Sequence, residues 1–196
     1  MTEQPRIPCK MDLVRREMPK QAPELRRANF AEVALGYAEQ TAIEEALRCL
    51  HCKKPNCVAN CPVGINIPGF IEAIAAGDFA RGVRVIKERN ALPSVCGRVC
   101  PQEEQCEKEC ILARRQGELA IGRLERFLGD WEALQPDQEF PAEPEPTGKS
   151  VAVIGGGPAG LTAAADLVKQ GHRVVIYEAL HKMGGVLSYG IPEFRL

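Results

Sequence analysis

Two short cysteine-rich segments constrain the folding of this chain more than any other feature. The sequence contains nine cysteines, and eight of them lie within residues 49–61 and 96–110. The first segment follows the pattern C-x2-C-x4-C-x3-C-P, whose short spacings let several sulfurs converge on one inorganic centre. Thiolates are soft, charged ligands of the kind that hold iron and sulfide together. The pattern therefore predicts an iron–sulfur centre in the first part of the chain.

Disulfide bonds and structural zinc are the two alternatives for these cysteines. Residues 1–20 carry many charged side chains and lack the charged-then-apolar pattern of a secretory segment. We therefore expect a reducing compartment, where clustered cysteines more often bind metal than pair with one another. Zinc remains open, because C-x2-C is a common zinc half-site and eight sulfurs could form two tetrahedral sites.

Length and composition exclude several other classes of protein. The chain has 196 residues, is 45% hydrophobic and has a formal net charge of -1. This is enough apolar sequence for a core, and it predicts one or two domains. The near-zero charge gives no sign of a nucleic-acid partner or of a membrane-surface partner. No stretch has the apolar length needed to span a bilayer, so we expect a soluble, cytoplasmic protein.

A helix is predicted immediately before the first cysteine segment. Thr41 and Glu44 have the spacing of a capping box, and apolar residues follow at helical intervals. A helix that begins there would present Cys49 and Cys52 from its final turn. The first cysteines of the segment would then be held by regular structure.

Further helices are predicted between and after the two cysteine segments. Pro68 suits the first turn of a helix that runs to Gly77, and Asp78 can cap the next one. A helix from about 120 to 134 carries apolar residues at helical spacing. Residues 1–135 are therefore predicted to form an all-helical domain around the cysteines. Residues 136–148 are rich in proline and acidic residues, which indicates an extended linker.

The segment after this linker, residues 149–196, has the pattern of a β-α-β unit. A short buried strand is predicted at 150–154, a helix at 161–170 and a second strand at 173–177. The glycine-rich turn G-G-G-P-A-G joins the first strand to the helix. Between a strand and a helix, this turn is the fingerprint of a Rossmann-like dinucleotide site.

Each part of the fingerprint has a predicted role. Gly155 permits the tight turn, Gly157 lets backbone N–H groups approach a pyrophosphate, and Gly160 lets the helix pack on the sheet. Glu178 follows the second strand, where it can accept hydrogen bonds from a ribose diol, whereas a 2′-phosphate would favour a basic residue. The residues of this segment predicted to contact the nucleotide are Gly155, Gly157, Pro158, Ala159, Gly160 and Glu178.

Taken together, the motifs resemble the N-terminal part of the glutamate synthase small (β) subunit family. Related proteins are the large subunit of NADH-dependent reduced ferredoxin:NADP oxidoreductase and the N-terminal region of dihydropyrimidine dehydrogenase. The resemblance covers residues 30–196 and rests on R-C-L-H-C, C-G-R-V-C-P, the glycine-rich turn and G-G-V-L-S-Y-G-I-P-E-F-R-L. It implies a multidomain α and α/β fold, with two [4Fe–4S] clusters in the helical domain and FAD in the adjoining Rossmann-like domain. Gly185 and Leu187 would also contact this cofactor, and a second such domain would bind NAD(P)H.

The resemblance also implies an interleaved set of cluster ligands. The fourth ligand of one cluster would be a carboxylate, Glu125, which follows G-R-L in the helix predicted at 120–134. Without the resemblance, Glu125 would be interpreted as a solvated side chain. With this assignment, Cys96 is left outside both sets and is expected to be a small buried residue. One cluster would be bound by Cys49, Cys52, Cys57 and Cys110, and the other by Cys61, Cys100, Cys106 and Glu125.

The function implied by the resemblance is conversion of two-electron to one-electron chemistry. NAD(P)H would reduce FAD, and single electrons would pass through the clusters to the glutamate synthase large subunit or to another electron-accepting subunit. A zinc-stabilised interaction domain fused to a nucleotide-binding fragment, and an isolated ferredoxin-like carrier, are the alternative functions. Members of the family continue well beyond the motif that ends at Leu196. We therefore expect this chain to be a piece of a longer protein and to be inactive alone.

Overall fold

The computed structural model describes residues 14–114, 117–135 and 144–196. A helical part is followed by a β-α-β unit, which confirms the predicted fold class. Within the described ranges, no helix combines the length and the apolar character that crossing a membrane requires. The elements are α1 (Pro23–Arg26), α2 (Glu39–Ala46), α3 (Asn56–Ala59), α4 (Ile67–Ala75), α5 (Phe79–Lys87), α6 (Pro93–Val99), 3₁₀ helices at Gln102–Glu104 and Ile111–Arg114, α7 (Ile121–Ala133), β1 (Ser150–Ile154), α8 (Pro158–Lys169), β2 (Arg173–Tyr177) and α9 (Val186–Tyr189).

Helices α4 and α5 form as the sequence predicts, because both have local start signals. Pro68 lies in the first turn of α4, and the Asn66 side chain accepts a hydrogen bond from the Gly69 N–H at 3.1 Å. Asp78 caps α5 by accepting a hydrogen bond from the Arg81 N–H at 3.0 Å. These caps satisfy backbone donors that the helices themselves leave without partners.

The hydrophobic core of the helical part lies where α4, α5 and α7 pack together. Phe70, Ile74 and Leu124 are fully buried there. Phe79 meets Phe127 edge-on, with the ring centroids 5.0 Å apart. The helix predicted at 120–134 is therefore confirmed as α7, and its apolar stripe faces this core.

The helix predicted before the first cysteine segment differs from expectation at both ends. Helix α2 begins at Glu39 with no side-chain cap, so Thr41 lies inside the helix and the capping-box prediction is wrong. The helix ends at Ala46, so the prediction that its final turn presents Cys49 is also wrong. A continuing helix is excluded here because His51 has a φ of 45°, in the left-handed region.

The β-α-β unit has the predicted order of elements. Strands β1 and β2 pair in parallel, with Ser150 opposite Arg173 and Ile154 opposite Tyr177. The prediction that β1 is buried is wrong, because its residues alternate between exposed and half-buried and Ile154 is 82% exposed. In the part of the chain that the structure describes, α8 is the main element packed on the two strands. A sheet covered in this way keeps apolar side chains in contact with water.

The predicted linker is described only in part, since residues 136–143 lie outside the described ranges. Its last residues pack on the β-α-β unit. The Thr147 N–H donates a hydrogen bond to the Gly171 carbonyl at 2.9 Å. The domain boundaries at 135 and 149 stay predictions.

Candidate metal centres and nucleotide loop

Four cysteines from the two cysteine segments surround one cavity. The cavity has a volume of about 40 Å³, and Cys49, Cys52, Cys57 and Cys110 line it. A single water molecule needs only roughly 10–15 Å³. These four residues are the set that the family resemblance assigns to one cluster. The spacing of the cysteines alone does not pair Cys110 with the other three.

Short turns position the cysteines from the first segment. Cys57 lies in α3, a single helical turn, whereas Cys49 and Cys52 lie in the loop that follows α2. Between those two, His51 adopts its left-handed conformation, which is uncommon for residues other than glycine. The loop therefore reverses direction between two lining cysteines.

The cavity favours neutral thiols in the metal-free protein. Burial is the main reason that the pKa of Cys49 is raised to about 11, and negative charge on Cys57 or Cys110 would raise it further. Burial also raises the pKa of Cys57. Metal binding reverses this balance, because thiolates become ligands after they lose their protons. The Leu119 N–H already donates to Cys110 Sγ at 3.5 Å, and this contact favours a negatively charged sulfur. The donor set fits an iron–sulfur cluster.

Members of the second predicted ligand set lie near enough for their charges to shift one another's pKa. Burial raises the pKa of the Cys106 thiol to about 12, and nearby negative charges that include Glu125 and Cys61 add to this effect. Cys100 lies beside Cys96, and its pKa is raised by that contact, by burial and by the charges of Glu125 and Cys106. The fold therefore brings Cys61, Cys100, Cys106 and Glu125 into one neighbourhood.

Glu125 is a buried carboxylate without a cationic partner. The residue is 6% exposed, and among the described residues no lysine or arginine forms an ion pair with it. Burial raises the pKa of Glu125 to about 8, negative charge on Cys96 raises it further, and a hydrogen bond from Asn90 lowers it. Burial excludes the interpretation of Glu125 as a solvated residue. Buried charges are normally paired or bound to metal, and an iron–sulfur cluster would supply the missing positive charge.

Two glycines let α6 and α7 approach closely. A Cβ atom on Gly97 would lie 2.5 Å from the backbone nitrogen of Arg126, and a Cβ atom on Gly129 would lie 2.6 Å from the backbone nitrogen of Ser94. Real side chains do not tolerate such distances. Because Cys100 follows α6 and Glu125 belongs to α7, this close packing sets the separation of two predicted ligands.

The four cysteines that line the cavity leave space between them for a group larger than a single metal ion. In residues 14–114, 117–135 and 144–196, no group of three or more His, Cys, Asp or Glu side chains is close enough to hold one metal ion. A tetrahedral zinc site has Zn–S distances of about 2.3 Å, so its sulfurs must meet around a point. The four cysteines from 49 to 110 instead surround a cavity. That geometry suits a polynuclear centre that bridges the sulfurs.

The glycine-rich turn has the predicted backbone geometry. Gly155 has a φ of 98°, which favours glycine, and a Cβ atom on Gly160 would lie 2.0 Å from the Gly155 carbonyl oxygen. Gly157 precedes α8, and Pro158 and Ala159 begin its first turn. The N–H groups at the start of this helix can bind a pyrophosphate.

Glu178 holds the glycine-rich turn from the end of β2. Its Oε1 accepts a hydrogen bond from the Leu180 N–H at 2.9 Å, and its Oε2 accepts one from the Gly156 N–H at 2.7 Å. These two bonds, that of Leu180 first, lower the pKa of Glu178. An ionised carboxylate therefore lies beside the turn, where the sequence predicts contact with a ribose.

A second pair of glycines packs on the same turn. The Gly184 N–H donates to the Gly156 carbonyl at 2.8 Å. A Cβ atom on Gly185 would lie 2.9 Å from the Cα of Gly157. The structure therefore places Gly185 against the predicted phosphate loop, and Leu187 follows in α9.

Known protein families match both parts of the chain. A family profile described as dihydropyrimidine dehydrogenase domain II, 4Fe-4S cluster, matches residues 26–136. The chain belongs to this iron–sulfur domain family. A second profile, described as an NAD(P)-binding Rossmann-like domain, matches residues 153–195. The order of the two matches is the order of the helical part and the β-α-β unit.

Relatives of this iron–sulfur domain family span both parts. The glutamate synthase [NADPH] small chains of Halomonas elongata and Escherichia coli are each 37% identical to this chain, over 95% of it and 39% of their own lengths. The NAD-dependent dihydropyrimidine dehydrogenase subunit PreT of Escherichia coli is 41% identical over 84% of this chain and 40% of its own length. The predicted resemblance is confirmed. The chain spans about two-fifths of the length of these curated relatives.

Several polar residues that hold the iron–sulfur domain together were missed by the sequence interpretation. Glu45 and Arg48 form a buried ion pair. Glu107 is also buried, where it accepts a hydrogen bond from the Gly122 N–H at 3.0 Å and pairs with Arg15 at 2.8 Å. The available signal for Glu45 was its position between apolar residues at helical spacing, since a charge on an apolar face requires a buried partner.

Proposed function

We propose that this chain is the iron–sulfur and nucleotide-binding part of an oxidoreductase of the glutamate synthase small-subunit type. The observation that carries the proposal is the cavity lined by Cys49, Cys52, Cys57 and Cys110. Its four cysteines come from two distant segments and are the set that the family resemblance implies for one cluster, which supports the proposal. The names of the relatives support the assignment to oxidoreductases.

Two [4Fe–4S] clusters are proposed, and two features of the described residues support this number. The first is the cysteine-lined cavity, and the second is the buried carboxylate of Glu125, which lacks a cation. A carboxylate oxygen is a harder ligand than sulfur, so the second cluster would have a different potential from the first. The proposed ligands are Cys49, Cys52, Cys57 and Cys110 for the first cluster, and Cys61, Cys100, Cys106 and Glu125 for the second.

The nucleotide proposed for the glycine-rich turn is FAD. The profile that matches this segment is described by NAD(P) binding, and both dinucleotides present a pyrophosphate and a ribose to such a turn. Glu178 would accept hydrogen bonds from the ribose diol. The start of α8 would bind the pyrophosphate, with Gly185 packed against the loop. An acidic residue at this position disfavours a 2′-phosphate.

When bound, FAD would accept two electrons from NAD(P)H, and the clusters would allow these electrons to pass singly to a partner. The residues of this chain bind these groups and tune their surroundings. The Leu119 N–H, for example, stabilises negative charge on Cys110 Sγ. The proposed partner is a glutamate synthase large subunit or another electron-accepting subunit.

Metal analysis of anaerobically purified protein tests this proposal. We expect a brown protein with about eight iron atoms per chain, four for each cluster, and matching sulfide. Cys110→Ser should remove about half of the iron, because it takes one ligand from the first cluster only. Cys96→Ser is the matched control and should retain the iron. A colourless protein with stoichiometric zinc would instead support the zinc-stabilised interaction domain.

A further inference from the structure

Asn90 connects helix α7, which carries Glu125, with the start of helix α6, which leads to Cys100. It lies between α5 and α6 and is 7% exposed. Its Nδ2 donates a hydrogen bond to Glu125 Oε1 at 2.7 Å, and its Oδ1 accepts one from the Leu92 N–H at 2.9 Å. One buried amide therefore joins the start of α6 to the carboxylate on α7.

The chemistry of these two contacts fixes the orientation of the amide. The Leu92 backbone offers only a donor, so the Asn90 oxygen must face it. The NH₂ group then faces Glu125, and a carboxylate is an acceptor. If the amide were reversed, its NH₂ group would face the Leu92 N–H, donor against donor. Its oxygen would face the Glu125 carboxylate, acceptor against acceptor. The hydrogen bond to Oε1 therefore has a fixed direction, from the Asn90 amide to Glu125.

The second oxygen of Glu125 remains available. Glu125 Oε1 is the carboxylate oxygen that Asn90 engages, and Oε2 accepts no hydrogen bond from the described residues. Asn90 thus occupies one oxygen and leaves the other free to bind.

Asn90 also reaches the other side of the proposed site. The Cys96 thiol contacts Asn90 Oδ1 at 3.6 Å, and Cys96 lies beside Cys100. Cys96 is half-buried and not fully buried as the sequence predicted. A continuous series of contacts therefore runs from Glu125 through Asn90 and Cys96 to Cys100.

We propose that Asn90 is a positioning residue that restricts Glu125 to binding iron through Oε2 alone. This inference rests on the proposed function, since it requires the second cluster. Without the Asn90 amide, the carboxylate could rotate, bind through both oxygens or leave the iron. Each of these changes alters the electronic surroundings of one iron atom in the second cluster. The cluster bound only by cysteines has no contact with Asn90.

Substitution of Asn90 in the full chain, purified without oxygen, tests this role. Asn90→Ala removes the contacts with Glu125, Leu92 and Cys96. Asn90→Asp keeps the shape and the acceptor for Leu92 but cannot donate to Glu125, so it serves if the alanine variant does not fold. The control is Asn29→Ala, because the Asn29 amide donates to Gln21 and Leu25 and accepts from Gln21 and Ala31, and its hydrogen bonds involve none of the proposed ligands. All variants are first compared by iron content and thermal unfolding.

The decisive measurements are the EPR spectra of the reduced clusters and their midpoint potentials. We expect Asn90→Ala and Asn90→Asp to change the g-values and to shift the potential of one cluster only, while Asn29→Ala changes neither. The double variant Asn90→Ala/Glu125→Ala should match Glu125→Ala alone, because Asn90 acts through Glu125. Unchanged spectra in both Asn90 variants, or an additive effect in the double variant, would overturn the role of Asn90 alone. A parent chain without iron would overturn the proposed function, and this inference with it.

Discussion

Glu45 and Arg48 form an ion pair that is closed to solvent, directly before Cys49. Their side chains are 0% and 1% exposed. Arg48 Nη2 donates to the Gly117 carbonyl at 2.7 Å, and Glu45 Oε1 accepts a hydrogen bond from the Ala120 N–H at 2.9 Å. The pair therefore ties the end of α2 to the segment that leads from Cys110 into α7.

Removing one charge of this pair should destabilise the protein more than neutralising both. Arg48→Met leaves the Glu45 carboxylate buried without its cation, and we expect the free energy of unfolding to fall by about 3–5 kcal/mol. Glu45→Gln/Arg48→Met retains an acceptor for Ala120 and should recover part of this loss. Urea unfolding at equal iron content measures both. A double variant less stable than Arg48→Met would contradict the expectation.

Removal of iron should loosen the two cysteine segments. Their short turns gain stability from ligand bonds, as small metal-binding domains do. We expect amide hydrogen exchange in residues 49–61 and 96–110 to be faster in oxygen-exposed, iron-free protein than in the anaerobic protein. Helix α8 is the internal control and should exchange equally in both. Equal protection of the cysteine segments with and without iron would show that the clusters do not order them.

Gly97→Ala should disturb the second donor set. The added Cβ meets the backbone of Arg126, which cannot move without shifting α7, so we expect a loss of about 1–3 kcal/mol. Iron content should fall as Glu125 moves away from Cys100. Gly82→Ala is the control, because its Cβ comes closest to the terminal carbons of Leu128 and meets no backbone atom among its three nearest neighbours. If both variants keep the parent iron content, close packing of α6 and α7 is not needed for the site.

The glycine-rich turn should loosen in acid. Hydrogen bonds from Leu180 and Gly156 lower the pKa of Glu178 below 4.5. A lowered carboxyl pKa stabilises the folded state above the unfolded pKa, and this contribution is lost as the pH falls through the folded value. The Gly156 amide NMR signal should therefore titrate below pH 4.5. Glu178→Gln should abolish the titration, and a midpoint above 4.5 in the parent would contradict this assignment.

The 196-residue chain should bind FAD weakly despite its intact turn. Ile154 and Tyr177, at the ends of the two strands, are 82% and 58% exposed. Beyond the glycine-rich turn, the described β-α-β unit therefore has few residues that could cover the isoalloxazine ring of FAD. A completed pocket would bind at about −8 kcal/mol or tighter, the micromolar scale. Calorimetry gives the affinity directly, and submicromolar binding would show that further strands are not required.

Local sequence signals were sufficient for the regular elements. Pro68 lies at a helix start because it has no backbone N–H to leave without a partner. Asp78 lies at a helix start because its side chain accepts a hydrogen bond from a backbone N–H of the first turn. The same reasoning fails at Thr41, where the spacing of a capping box is present but α2 begins earlier. The apolar neighbours of Glu45 could indicate that it has a buried partner, but they could not identify the contacts with Gly117 and Ala120 far along the chain.

The candidate sites depend more than the helix starts do on contacts between residues far apart in the sequence. Spacing predicted that the cysteines bind metal, but it could not place Cys110 with the first segment, because that pairing follows from the path of α4 to α7. The resemblance supplied this pairing, and the cavity agrees with it. Asn90 was missed since an amide in a short turn has no periodicity to mark it.

The short helix α3 limits the distance between the two proposed clusters, because it joins a ligand of one to a ligand of the other through three intervening residues. Cys57 lies in its single turn, and Cys61 follows directly after the turn. A turn of helix advances by about 5.4 Å, and each residue rotates the chain by about 100°. One residue inserted between these cysteines would therefore turn a sulfur away from its cluster. Insertions and deletions are therefore expected in the surface loops but not between Cys57 and Cys61. The separation of the two proposed clusters, and with it the electron path, would be set by this short segment.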